Sequence, residues 1–192
     1  MNCAVRKIEI DADVPVADFK SAMRSLAGGV SVITVGRGRD ITGMTVTSVS
    51  SLSTEPPSLI VSVNRASSSW PLLKRYGAFG VNILGAAQID IAERFSGKDG
   101  LKGAARFDGL EWTVGVTGAP LLVDAPAAID CNVEDIIERH SHAIVIGRVR
   151  AVLTLQGQDA LTYFDGRYAA VEGQHDGALD AEQTVSRGLR EI

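Results

Sequence analysis

The sequence predicts a mainly β protein with short helices, its antiparallel strands rolled into a closed or nearly closed barrel. Short segments of alternating apolar residues recur at close spacing, and three helix-length segments of 3.6-residue periodicity lie between them. No self-similarity at a period of ~20 to 50 residues is present to build a solenoid or propeller. A doubly wound sheet fits worse, because its crossovers need about a dozen residues after nearly every strand and the second half lacks them. The 192 residues divide into an N-terminal arm (1–15), one domain (16–172) and a tail (173–192) expected to be flexible or weakly helical.

Taken in order, the arm carries Arg6, Lys7, Glu9, Asp11 and Asp13 and lacks the apolar run of a signal peptide, so a cytoplasmic location is expected. Asp18 suits a helix N-cap, and Phe19, Ala22, Met23 and Leu26 follow at helical spacing until Gly28 and Gly29. Val30, Val32 and Val35 read as a strand, residues 36–40 as its turn, and Ile41 as the start of the return strand. Residues 42–69 are rich in Ser and Thr, with Pro56 and Pro57 breaking the chain before an apolar strand at 59–63. Ser68 or Ser69 caps a second helix with Pro71 in its first turn and Gly77 at its end. Phe79, Val81 and Ile83 alternate as a strand, and Ile89, Ala92 and Phe95 share one face of a third helix ending at Gly97. Alternation returns at Leu110, Trp112, Val114 and Val116, at Ile129, Cys131 and Val133, and from Ile144 to Leu153. Asp165 and Gly166 signal a tight turn before Tyr168.

Composition narrows the function classes. At 45% hydrophobic and 22% charged residues the chain is too apolar for disorder and too interrupted by charge for a membrane span. A formal charge of −4 and 5% aromatic residues disfavour general nucleic-acid binding. Two cysteines, Cys3 and Cys131, make no disulfide framework, and Cys131 reads as a buried apolar thiol.

Motif by motif, most chemistries drop out. The glycine-rich segment 36–41 has Ile41 where a dinucleotide fingerprint needs a third Gly or Ala, and no helix follows. Gly97-Lys98 lacks the upstream Gly and the following Ser or Thr of a phosphate loop. No Gly-x-Ser-x-Gly elbow occurs, and His140 and His142 have no third ligand nearby, so no metal site is expected. His142 alone, at a barrel rim, suits contact with a polar cofactor. The Ser/Thr-rich segment fits two readings equally: a solvated strand face, or a cradle of backbone donors and small hydroxyls for a flat polar ligand.

Several separated segments then resemble, in order, the short-chain flavin reductases, whose fold is the FMN-binding split barrel and which serve two-component monooxygenases. The resemblance covers roughly residues 19–168. It rests on Gly29-Val30-x-Val32-x-Thr34, Gly43-Met44-Thr45-Val46-x-Ser48, and Ser51-x-Ser53-x-x-Pro56-Pro57. Asn64-Arg65-Ala66-Ser67, Phe79-x-Val81-Asn82, Arg94-Phe95-Ser96-Gly97 and Trp112 continue it, followed by His142 and Gly166-Arg167-Tyr168.

That resemblance implies FMN or FAD as cofactor, NADH or NADPH as hydride donor, a homodimer, and a separate monooxygenase that receives reduced flavin. It assigns flavin binding to Met44, Thr45, Val46, Thr47, Ser48, Ser50, Ser51, Asn64, Arg65, Ala66 and Ser67, with Arg94 pairing the phosphate. Phe95 is either flavin-contacting or core. His142 is the catalytic candidate at the nicotinamide, with Tyr168 its neighbour, and the rings would stack at ~3 to 3.5 Å for hydride transfer. The chain departs from the family's pattern at Ala169, often His, and at Thr47, often Asn. Ala169 is the one feature that favours an alternative, a flavin-binding electron carrier or redox sensor without efficient turnover. A haem or pyridoxal-phosphate protein would need an axial ligand or a different phosphate-binding set, and the sequence has neither.

Overall fold

A computed structural model describes residues 13–173 and 184–187. Its elements run α1 (Val16–Arg24), β1 (Gly28–Gly29), β2 (Ser31–Arg37), β3 (Asp40–Val46), β4 (Ser50–Thr54), β5 (Pro57–Asn64), α2 (Ser69–Tyr76), β6 (Ala78–Ile83) and α3 (Ile89–Ser96). The second half is β7 (Trp112–Val114), β8 (Pro120–Leu122), β9 (Ala127–Arg139), β10 (His142–Thr154), β11 (Ala160–Phe164), β12 (Arg167–Val171) and β13 (Thr184–Arg187). The protein is mainly β with short helices, as expected.

The first helix corrects one expectation: Asp18 is not its N-cap, because Pro15, with its fixed φ and no amide to donate, starts the helix earlier. The first helix begins two residues before Asp18, after Pro15, which leaves Asp18 in the first turn where its charge meets the positive end of the helix dipole. Asp165 (φ 47°) and Gly166 (φ 80°) form the turn between β11 and β12, both residues in the left-handed region that a two-residue hairpin of this kind demands. Of the tail expected to be flexible or weakly helical, Thr184–Arg187 pairs as a strand with residues 151–154 of β10, while 174–183 and 188–192, like residues 1–12 of the N-terminal arm, lie outside the described residues.

The main sheet runs β3-β2-β6-β9-β10-β5-β4, with β13 also on β10, and every pairing is antiparallel. It is strongly curled. Ile33 and Val35 of β2 share one buried cluster with Leu59, Val61 and Val63 of β5, although β6, β9 and β10 lie between those strands in the sheet. Trp70 and Leu73 of α2 plug this interior. On the other face, Ile91, Ala92 and Phe95 of α3 pack with Val30, Val32, Leu121 and Leu122.

Among the described residues the hydrogen-bonded path has two ends, β3 and β4, rather than forming a ring. At the free edge of β3 the Arg106 guanidinium donates to the Gly43 carbonyl at 2.6 Å. Burial lowers the pKa of that guanidinium from its ordinary value. The residues of β4 are all exposed. Among the described residues, no helix is long and apolar enough to cross a membrane.

Candidate functional site

The ends of β3, β5, α3, β10 and the β11–β12 hairpin meet around a cavity of about 490 Å³. Its wall begins with Met44, Thr45 and Val46, the last residues of β3, and continues into Thr47 and Ser48 where the chain leaves the sheet. The Thr45 hydroxyl donates to the Ala92 carbonyl at 2.6 Å, tying β3 to α3. Ser48 Oγ donates to the Ser62 carbonyl at 2.9 Å and accepts from the Ser62 amide at 3.3 Å, so the loop after β3 is pinned to β5.

At the end of β5, Asn64 Oδ1 accepts from the Ala66 amide (2.9 Å) and the Asn64 carbonyl from the Ser67 amide (3.0 Å). This short side-chain-capped turn swings Ser67 into the wall. Ser67 Oγ is buried and has no hydrogen-bond partner among the described residues. The hairpin of β9 and β10 stands alongside: His142 pairs in register with Asn64, and its Nδ1 lies 2.8 Å from Ser141 Oγ. His140 sits in the turn with φ 49° rather than beside His142 on a strand face.

Tyr163 and Tyr168, cross-strand partners in the β11–β12 hairpin, close another side with ring centroids 5.2 Å apart. Burial, then the Glu93 carboxylate and Tyr163, raise the Tyr168 phenol above its ordinary pKa, so it remains a hydrogen-bond donor at neutral pH. Ser96 and Lys98 complete the rim after Gly97 (φ 84°) ends α3 in a left-handed cap. The lining holds one lysine and no carboxylate. Such a cavity favours an anionic, polyhydroxylated ligand with a flat apolar part.

Of the residues expected from sequence, the structure brings together Met44, Thr45, Val46, Thr47, Ser48, Asn64, Ser67, His142 and Tyr168. Others lie outside the lining. Ser50 and Ser51 are exposed on β4. Arg65 pairs with Glu138 at 2.5 Å and donates to the His140 carbonyl at 2.9 Å, so it ties the β5 turn to the hairpin. Ala66 serves that turn through its amide. The Arg94 guanidinium donates to the Asp108 carbonyl at 2.6 Å, away from the cavity. Phe95 resolves as core, 1% exposed and edge-on to Phe107 at 5.1 Å. Val30, Ser62, Ser96, Lys98 and Tyr163 line the cavity and were missed. Period-two alternation along β5 would have put Ser62 beside Asn64, and the Asp-Gly hairpin register would have put Tyr163 opposite Tyr168.

A curled antiparallel sheet presents a hydroxyl-lined cavity at its edge, and the comparisons with known proteins place that arrangement in a class. The chain belongs to the flavin reductase family: residues 23–172 match the family described as flavin reductase like domain. It is 37% identical over 160 residues to the FMN reductase (NADH) RutF of Stutzerimonas stutzeri strain A1501, covering 83% of this chain and 91% of that one. Against the FMN reductase (NADH) RutF of Pseudomonas syringae pv. syringae strain B728a, identity is 38% over 150 residues, covering 78% and 83%. Two solved structures superpose on it. BorF, the flavin reductase component of a bacterial two-component tryptophan halogenase, gives a TM-score of 0.77 at 30% identity, covering 83% of this chain and all (100%) of that one. The NADH:FAD oxidoreductase SgcE6 of Streptomyces globisporus C-1027 gives 0.77 at 27%, covering 88% and 100%. The protein is an oxidoreductase of the flavin reductase class.

Proposed function

We propose that this protein transfers hydride from NADH to FMN and hands the reduced flavin to a separate monooxygenase-type component, working as a cytoplasmic homodimer. The observation that carries the reading is the lining of the 490 Å³ cavity: hydroxyls, backbone donors, one cation and no carboxylate. The choice of FMN and NADH follows the names of the two RutF relatives, and the partner follows BorF, a component of a two-component system. The buried, unpartnered Ser67 Oγ fits a ligand that supplies the missing partner, as a ribityl hydroxyl or phosphate oxygen does.

When bound, the flavin supplies a ring that accepts hydride from a reduced nicotinamide. The chain's own residues bind and orient. The backbone at Thr47 and Ser48 offers donors to a polar ring edge, and Asn64, Ser62 and Ser67 serve a polyhydroxyl chain. Lys98, which lines the cavity and stands 3.9 Å from the Glu93 carboxylate, takes the phosphate role that the resemblance gives to Arg94, because Arg94 lies outside the lining and donates to the Asp108 carbonyl. His142, exposed at the rim with its Nδ1 tied to Ser141, and Tyr168 border the space for the nicotinamide. Ala169, which favours the carrier reading, is exposed on β12 and outside the cavity lining.

Steady-state assays of FMN, FAD and riboflavin against NADH and NADPH test the proposal. Catalytic NADH oxidation with bleaching of the flavin's visible band is expected, fastest with the FMN–NADH pair. Tight flavin retention without turnover with either nucleotide would establish the carrier instead.

A further inference from the structure

Arg65 lies between Asn64 and Ser67, in the turn that carries these two residues of the cavity wall. From there it grips the tip of the β9–β10 hairpin at three points. Its backbone amide donates to the Ser141 carbonyl at 2.9 Å, and its guanidinium donates to the His140 carbonyl at 2.9 Å and pairs with Glu138 at 2.5 Å. A second cation, Lys74 of α2, stands 3.8 Å from the same carboxylate. The residues so held lie just ahead of His142, which belongs to the opposite stretch of wall.

The tip is also where the hairpin leaves ordinary backbone. His140 has φ 49°, a left-handed conformation uncommon for a residue with a side chain, and such a turn persists where its surroundings over-determine it. The carbonyls of both turn residues, His140 and Ser141, accept from Arg65. Next along the chain, Ser141 Oγ occupies His142 Nδ1 at 2.8 Å, which leaves Nε2 as the ring nitrogen for a ligand. With side chains 41% and 39% exposed, the Arg65–Glu138 pair adds little to stability. What the guanidinium supplies is position, because its planar fork holds a carbonyl and a carboxylate at once. We propose that Arg65 is a positioning residue: it fixes the hairpin tip against the Asn64 turn and so sets where the His142 imidazole meets the reacting ring. It acts through His142 and not by contact with the flavin, the role that the resemblance implies for it. On the hydride-transfer reading above, on which this role rests, the reacting ring is the flavin or the nicotinamide.

The test compares Arg65→Ala, Arg65→Lys, His142→Ala and the double variant in the full chain, with NADH and either FMN or riboflavin. In Arg65→Ala, kcat falls roughly tenfold with both flavins while KM is nearly unchanged, a loss within the about hundredfold that a ~1 Å misplacement can cost. Arg65→Lys keeps the charge but not the fork and recovers little of that loss. The double variant is no slower than His142→Ala, because the group that Arg65 positions is already gone. A loss confined to FMN and repaired by lysine makes Arg65 a phosphate contact and overturns the proposal. So does a loss that adds in full to that of His142→Ala, or a kcat unchanged in either single variant. The nitrogen chemical shifts of the His142 ring, assigned by their disappearance in His142→Ala, report its proton distribution independently of turnover. A wild type without flavin turnover whose His142 shifts move in Arg65→Ala refutes the reductase reading and keeps the clamp. A wild type that turns over flavin, with kcat and His142 shifts unmoved by Arg65→Ala, refutes the clamp alone.

Discussion

Cys131 shows how a single burial decides chemistry at the residue scale. It is fully buried in the interior the sheet encloses, and burial first, then the neighbouring Asp130 charge, raise its thiol from 9.0 to about 12. The thiolate is the reactive form, so this group is inert at physiological pH. Alkylation at pH 8 with mass mapping should leave Cys131 unmodified until the chain is unfolded. The sign for stability follows from the raised folded-state pKa. The protonated thiol's contribution is fully present below pH 9, where the unfolded thiol is also protonated, and is lost as pH climbs from 9.0 toward about 12. Cys131→Ala should flatten the decline of the urea midpoint over that window, and an unchanged slope would count against the argument. Arg94 carries the complementary lesson. Its cationic type suits a phosphate, but whether a helix cation faces a ligand or a loop carbonyl is fixed by what packs beside the helix, which the local sequence does not contain.

Individual elements were legible where their signal is local. Gly97 and the Asp165-Gly166 pair end or turn the chain at the positions the sequence marks, and the alternation of Phe79, Val81 and Ile83 gives β6. The pairing of β5 with β10 joins residues about 80 positions apart and has no local signature, which is why Ser62 was not seen to join Asn64 and His142 at the cavity. The long β10 also needs a device that alternation hides. Its register shifts between Ile146 and Gly147, and the buried Phe79 ring sits against the bare Gly147 backbone, where a side chain would overlap it. Gly147→Ala should destabilise the fold by about 1–3 kcal/mol through overpacking, read as a lower urea midpoint at an unchanged slope. A neutral result would mean that Phe79 has room to move aside.

On the scale of the whole molecule, the site exists only when the sheet is assembled. Thr45, Asn64, Lys98, His142 and Tyr168 reach one cavity from separate strands, loops and turns. The sequence could supply the residue types and the family's order, but their convergence depends on the curl that brings β2 and β5 to a common interior. A ligand seated there therefore binds the folded chain and not the unfolded one, and must raise stability by mass action. FMN at a hundredfold excess over its Kd should add about 2.7 kcal/mol, which for a chain of this size moves Tm by roughly 5–10 °C. Thermal melts at increasing FMN, with the far-ultraviolet circular dichroism signal as readout, measure this directly. Riboflavin at the same concentration should shift Tm less, because it gives Lys98 no phosphate to pair with. A Tm independent of FMN across its solubility range would remove the flavin from this cavity, and equal shifts from FMN and riboflavin would remove the phosphate from Lys98.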